Sequence, residues 1–189
     1  MVMTLEETGE LTDEQLASQT LSERSDGPAF VAIVDRFRER VWRVCFRLMG
    51  NAEDASDAAQ EVLLRMFLHR DRFQGRSKYS TWVHGIAVNT CLTLRRSRGR
   101  RIRRESALSD KSSPDTTTSA QRSSELAVDL MQMLDTLDET DRALLILKYA
   151  EEQSYEELAE TFGLSISACK MRVSRARDKL KQRYPEASC

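Results

Sequence analysis

Residues 154–180, which read SYEELAETFGLSISACKMRVSRARDKL, constrain the fold of this chain more than any other stretch. Ser154 is followed three residues later by Glu157, a capping box that predicts the start of a helix. Gly163 stands where that helix must end, because glycine enters the left-handed region without a Cβ clash. Ser165 is a typical cap for a second helix. Two short helices joined by a glycine turn indicate a helix-turn-helix motif.

The second of these helices is amphipathic and basic. Apolar residues recur at helical spacing along one side, and most basic residues fall outside that stripe. The basic residues are Lys170, Arg172, Arg175, Arg177 and Lys179. Since the second helix of a helix-turn-helix enters the DNA major groove, the pattern favours DNA binding. An ordinary helical hairpin with a solvated basic face is the alternative.

Composition narrows the function classes. The chain has 189 residues, of which 31% are charged and 40% hydrophobic, as in ordinary soluble proteins. No apolar run approaches the ~20 residues of a membrane span. The acidic N-terminus lacks the basic segment followed by an apolar segment that marks a signal peptide. We therefore expect a cytoplasmic protein with no membrane insertion.

Charge is segregated along the chain, although the formal net charge is only −1. Residues 1–27 are strongly acidic, residues 95–104 are arginine-rich without an acid, and residues 165–183 are basic. This segregation predicts contact with a polyanion at particular places.

Cysteine and histidine usage gives no sign of a metal site. The cysteines show no CxxC spacing, and the histidines are isolated. Cys45, Cys91 and Cys169 fall on predicted apolar helix faces, which predicts buried free thiols. We expect no metal and no other cofactor.

Helical periodicity extends through most of the chain, and no stretch shows strand alternation. An amphipathic helix is predicted from Phe30, and Asn51, Ser80 and Thr140 are predicted caps of three later helices. The predicted fold is all-α, with two small helical domains joined by a flexible linker. The predicted boundaries are a disordered acidic N-terminus at 1–11, a first domain at 12–97, a linker at 98–122 and a second domain at 123–189.

Three motifs in order carry a resemblance to a known family. They are EDASDAAQEVLLRMF, FQGRSKYSTWVHGIAVNTCLTLRR and YEELAETFGLSISACKMRVSRARDKL. With the polar linker between the second and third, the chain resembles the extracytoplasmic-function (ECF) sigma factors of bacterial RNA polymerase. The resemblance implies that residues 12–97 are sigma region 2 and residues 123–189 are sigma region 4.

The first motif predicts a docking surface. Asp57, Gln60 and Glu61 share a helix face, because the last two lie at i+3 and i+4 from the first. Acidic and amide groups beside apolar residues suit a basic or coiled-coil partner. The resemblance implies that this partner is the clamp of core RNA polymerase, whereas the residues alone would fit a solvated helix face.

The second motif resembles the segment that captures the melted promoter −10 element. Single-stranded bases are held by aromatic faces, amides and cations. The residues predicted to supply these groups are Phe73, Gln74, Lys78, Tyr79, Trp82, Asn89, Arg95 and Arg96. Trp82 equally fits a core position at helical spacing. His84 stands where the family commonly has an aromatic residue.

The third motif resembles the region-4 helix-turn-helix that binds the −35 element. The resemblance places Lys170, Met171, Ser174 and Arg175 toward the major groove or its phosphates. Lys148, on the preceding helix, is predicted to meet the DNA backbone. Arg172 and Arg177 are predicted to contact phosphate or to be solvated.

The resulting expectation is a sigma factor that binds core RNA polymerase and directs it to promoter DNA. The family also implies an anti-sigma factor as a partner. No nucleophile–base pair or phosphate loop is visible, so neither an enzyme nor a small-molecule substrate is expected. The alternatives are a dimeric helix-turn-helix regulator that binds DNA without polymerase, and a homologue that only sequesters a partner.

Overall fold

A computed structural model of the chain describes residues 11–22, 27–108 and 125–185. Within these ranges the structure is helical and contains no strand, which confirms the all-α prediction. The helices are α1 (Asp13–Gln19), α2 (Pro28–Met49), α3 (Ala52–Leu68), α4 (Tyr79–Leu108), α5 (Glu125–Asp135), α6 (Glu139–Tyr149), α7 (Tyr155–Phe162) and α8 (Ile166–Arg183), with a 3-10 turn at Arg70–Arg72. The predicted disorder of residues 1–10 and the middle of the predicted linker lie outside the described residues.

The N-terminal domain is formed by α1 to α4. Helices α2, α3 and α4 pack against one another, and α1 lies on α2. The apolar stripe of α2 is buried, and small residues of α3 allow its partners to approach closely. The buried residues of these two helices include Ile33, Phe37, Val41, Val44, Leu48, Ala55, Ala58 and Ala59.

The predicted cap Asn51 is confirmed, since its side-chain oxygen accepts a hydrogen bond from the Asp54 N–H at 2.9 Å. Ser80 is not a cap, because α4 already begins at Tyr79. The Tyr79 N–H instead donates to the Glu14 carboxylate of α1 at 3.0 Å. This hydrogen bond holds the pKa of Glu14 below its ordinary value. A distant side chain thus caps α4 and ties α1 to it.

The predicted cap Thr140 is also wrong. Helix α6 begins at Glu139, and the cap is Asp138, whose carboxylate accepts from the Thr140 N–H at 3.0 Å. The carboxylate is favoured there because it satisfies a free N–H and complements the helix dipole.

Helix α4 continues through the arginine-rich segment and ends at Leu108, inside the predicted linker. The backbone of residues 98–108 is therefore helical, and residues 109–124 lie outside the described part of the chain. The predicted domain boundaries remain predictions.

The C-terminal domain is formed by α5 to α8 and is centred on α6. This helix is buried along most of its length, and α7 and α8 pack against it. Leu158 of α7 and Cys169, Val173 and Ala176 of α8 are buried on the inner side.

Cys45, Cys91 and Cys169 are buried free thiols, as predicted. No helix in the described ranges has the length and apolar character needed to cross a bilayer.

The two domains are in contact. Helix α6 packs against α2 and α4, and α7 packs against α4. One face of α4, within the second motif, is therefore covered by the helix-turn-helix domain.

Candidate nucleic-acid interface

The helix-turn-helix forms as its local signals predict. Ser154 Oγ accepts from the Glu157 N–H at 3.1 Å, and the Glu157 carboxylate accepts from the Ser154 N–H at 2.8 Å. Gly163 ends α7 in the left-handed region, with φ +63°. Ser165 Oγ then accepts from the Ala168 N–H at 3.1 Å and caps α8. The reversal between α7 and α8 is thus fixed at three points.

Helix α8 presents a row of exposed side chains opposite its buried stripe. Lys170, Met171, Ser174 and Arg175 are exposed, and Met171 is 53% exposed. These four residues lie at i, i+1, i+4 and i+5, so they share one face. Lysine and arginine donate to guanine and phosphate oxygens, and serine serves either. We call these four residues the outward row.

Two other residues of the predicted −35 set lie outside the outward row. Arg172 Nε lies 2.7 Å from Asp141, and its Nη2 lies 3.5 Å from Asp138. Lys148 donates to the Gln153 carbonyl at 2.8 Å and lies 4.6 Å from the Tyr155 ring centroid. Both residues hold the motif together in this form, and their contacts with DNA remain predictions.

Sequence reasoning left the exposed Ser167 of α8 out of the predicted set and gave Arg177 only as a phosphate contact or a solvated residue. Ser167 is exposed one turn before Lys170 and Met171. The i+3 and i+4 spacing is the signal that would have added it to the same face. Arg177 is exposed and its Nη1 lies 3.3 Å from the Tyr149 hydroxyl, at the edge of the motif.

The aromatic residues of the second motif come together at the start of α4. The Phe73 and Tyr79 ring centroids lie 5.0 Å apart, and Phe73 and Trp82 lie 5.8 Å apart. Tyr79 is only 2% exposed and packs edge-on against Phe37. Its burial raises the pKa of the hydroxyl. Tyr79 therefore serves the core in this form, while Phe73 and Trp82 remain partly accessible beside the exposed Gln74.

The three cations predicted to contact the −10 strand are paired with acids of the C-terminal domain. Lys78 Nζ lies 2.9 Å from Glu157. Arg95 Nη2 lies 3.1 Å from Asp135, and Arg96 Nε lies 3.4 Å from Glu139. The exposed Asn89 lines a cavity of about 390 Å³ together with residues of the helix-turn-helix turn. The predicted −10 cations are thus occupied in this form.

The predicted docking residues lie on the outer side of α3. Asp57 and Gln60 are exposed, and Glu61 pairs with Arg65 at 2.7 Å. Beside them on α2 are Trp42 and Phe46, whose exposed rings stack with centroids 5.3 Å apart. Trp42 Nε1 donates to Ser56 Oγ at 3.2 Å, which joins the aromatic pair to α3.

Trp42 and Phe46 are missing from the predicted site because helical periodicity places them outside the core stripe. Periodicity cannot distinguish a solvated position from a docking position. Acidic and aromatic side chains together form a mixed surface of the kind found at protein interfaces.

The described residues contain no group of His, Cys, Asp and Glu placed to hold a metal ion. Burial raises the pKa of the Cys169 thiol, which makes it a poor nucleophile and a poor ligand.

Comparison with known proteins agrees with this geometry. Residues 33–101 match the family described as Sigma-70 region 2, and residues 127–180 match Sigma-70, region 4. The chain is 30% identical over 174 residues to the ECF RNA polymerase sigma factor SigW of Bacillus subtilis, covering 84% of this chain and 90% of SigW.

The chain belongs to the ECF sigma factor family. This sigma factor is also 30% identical to the ECF sigma-E factor of Escherichia coli, over 87% of this chain and 93% of that protein. Among solved structures it is similar to the sigma factor RpoE of Bartonella quintana in complex with the anti-sigma factor NepR. That similarity has a TM-score of 0.62 and 27% identity, and covers 79% of this chain and 92% of RpoE.

Family membership fixes the general role. This sigma factor binds core RNA polymerase and directs promoter recognition and transcription initiation. The individual residues that carry out these contacts are not fixed by family membership.

Proposed function

We propose that this sigma factor holds a promoter at two points while bound to core polymerase. The outward row of α8 binds the −35 duplex, with Lys170 and Arg175 as the cationic contacts. Phe73, Gln74 and Trp82 hold melted −10 bases, with Asn89 at a base edge and Lys78, Arg95 and Arg96 on phosphates. Asp57, Gln60 and Glu61 dock on the polymerase clamp.

The outward row is the observation that carries the −35 assignment. Its four side chains are exposed on one face of a helix that a capped turn holds in place. Arg172, beside the row, instead pairs with Asp141 inside the domain, while Lys170 of the row has a looser contact, 5.6 Å from the Tyr155 ring centroid. Exposure and orientation therefore support a role in DNA contact for the outward row.

Two further proposals follow from the family. We assign residues 12–97 to region 2, residues 98–122 to the linker and residues 123–189 to region 4. The region 4 match at 127–180 falls inside its proposed range, whereas the region 2 match at 33–101 extends past residue 97 into the proposed linker. We also propose that an anti-sigma factor binds this protein in the cytoplasm, with support from the RpoE–NepR complex. The chain acts as a specificity subunit and performs no catalysis.

A mobility shift with and without core polymerase tests the proposal. We expect specific binding to promoter fragments only when core enzyme and this protein are both present, because the −10 contacts require a melted strand. The competing function, a dimeric regulator, predicts a specific shift with the protein alone. Such a shift on duplex DNA, unchanged by core enzyme, would contradict the proposal.

A further inference from the structure

The contact between the two domains is centred on a buried carboxylate. Glu151, in the turn between α6 and α7, has a side chain only 7% exposed. It pairs with Arg47 of α2, and Arg40 of α2 lies 3.6 Å away. On α4, His84 Nε2 faces it at 3.7 Å. An acid of one domain is therefore enclosed by basic groups from two helices of the other.

A neighbouring hydrogen bond extends this cluster. The buried Gln153 amide nitrogen lies 2.5 Å from His84 Nδ1. Burial raises the pKa of Glu151, but the facing His84 and the charges of Arg47 and Arg40 outweigh it, so the net pKa is lowered. The carboxylate is thus held in its charged form at neutral pH. We call Arg40, Arg47, His84, Glu151 and Gln153 the latch.

A second set of contacts lies at the C-terminus of α2. Arg142 of α6 is 2% exposed, pairs with Asp135 and donates to the Arg47 carbonyl at 3.1 Å. Arg95 of α4 donates to the Leu48 carbonyl at 3.1 Å. Helix C-termini favour cations, because their last carbonyls are unpaired. Arginines from both domains therefore meet at this helix end.

This arrangement covers the proposed −10 surface. Glu157 pairs with Lys78, Asp135 with Arg95, and Glu139 with both Arg95 and Arg96. Carboxylates of the C-terminal domain thus occupy the cations that phosphates would neutralise. The outward row of α8 remains exposed.

We propose that the structure is an autoinhibited form, in which the C-terminal domain blocks the single-strand surface of its own N-terminal domain. The inference rests on the proposed −10 residues. The ion pairs between the domains outside the latch are partly exposed and weak, so the closed form can open. Core polymerase, by binding the open form better, shifts the population toward it. The apparent affinity of the free protein for a single strand is therefore the affinity of the open form multiplied by the fraction that is open.

The test measures opening and single-strand binding together. Dyes on Glu39→Cys and Gln182→Cys, in a Cys189→Ser background, report transfer of excitation energy between the domains. A labelled mixed-sequence single-stranded DNA reports affinity. We expect Glu151→Gln to lower the transfer efficiency and to tighten single-strand binding about fivefold or more. Glu160→Gln, at an exposed acid of α7, is the matched control and should change neither quantity.

Glu139→Gln provides a second variant. Because Glu139 lies near the surface, the protein with the neutral glutamine at this position should fold. It should also lower the transfer efficiency and tighten single-strand binding. Unchanged transfer in both variants, or opening without tighter binding, would overturn autoinhibition. The proposed function is judged separately, by the polymerase-dependent mobility shift of the unaltered protein, which does not require a closed free form.

Discussion

Reversal of charge at Asp57 and Glu61 is expected to abolish most binding to core RNA polymerase. The variant Asp57→Lys/Glu61→Lys places cations on a surface proposed to meet a basic or coiled-coil partner. Like charges placed across an interface cost several kcal/mol, so a loss of about 30-fold or more in affinity is expected. Fluorescence anisotropy of the labelled protein titrated with core enzyme measures the loss.

The fold should survive these substitutions. Asp57 is exposed, and reversal of Glu61 creates only a like-charge pair with Arg65 one turn away, which costs about 0.5 kcal/mol or less. Asp35→Lys/Glu39→Lys on the exposed side of α2 is the control matched in net charge. Equal affinity of Asp57→Lys/Glu61→Lys and this control for core enzyme would contradict the docking assignment.

Replacement of Arg175 by alanine is expected to weaken −35 binding by about 1–3 kcal/mol, the loss typical of a direct base contact. The reason is that Arg175 is exposed on the outward row, the face proposed to meet the major groove. The measurement is competition binding of the holoenzyme to promoter fragments with intact and with scrambled −35 sequences. The loss should appear only on the intact fragments.

Lys181→Ala is the control for Arg175→Ala. Lys181 is also exposed and basic, but it lies in the last turn of α8, away from the start of the helix. We expect its removal to weaken binding little and equally for both fragments, as a distant charge would. If Arg175→Ala instead weakens binding equally on both fragments, Arg175 contacts phosphate, and its proposed role in reading bases is contradicted.

The parts of the fold that sequence predicts are those with local causes. Ser154, Glu157, Gly163 and Ser165 act on residues within one turn of themselves, and the structure confirms each. Asn51 is similar. The start of α4 was missed because its N–H acceptor, Glu14, comes from another helix, 65 residues away. Patterns within a short window contain no information about such a partner.

The candidate site shows the same division. The residues of the outward row were implied by the family resemblance. Arg172 and Lys148, from the same predicted set, find partners inside the domain that a motif does not reveal. Tyr79 was predicted as a base contact, and the structure packs it in the core, because the aromatic cluster closes around it. Residue type indicates what a side chain can bind, whereas packing decides whether it is accessible.

His84 illustrates what neither motif nor periodicity contains. It departs from the residue common in the family, and in the sequence it is an isolated histidine. In the structure it contacts Glu151 and Gln153 of the other domain. A contact between domains depends on how they dock, which is set by many weak interactions spread over both surfaces.

The most direct test of the central claim is run-off transcription with bacterial core RNA polymerase on a pool of promoter fragments. The account predicts transcripts that begin at defined sites, that require this protein, and that decrease with Arg175→Ala and with Asp57→Lys/Glu61→Lys. Absence of any specific transcript with the unaltered protein and any bacterial core enzyme would contradict it.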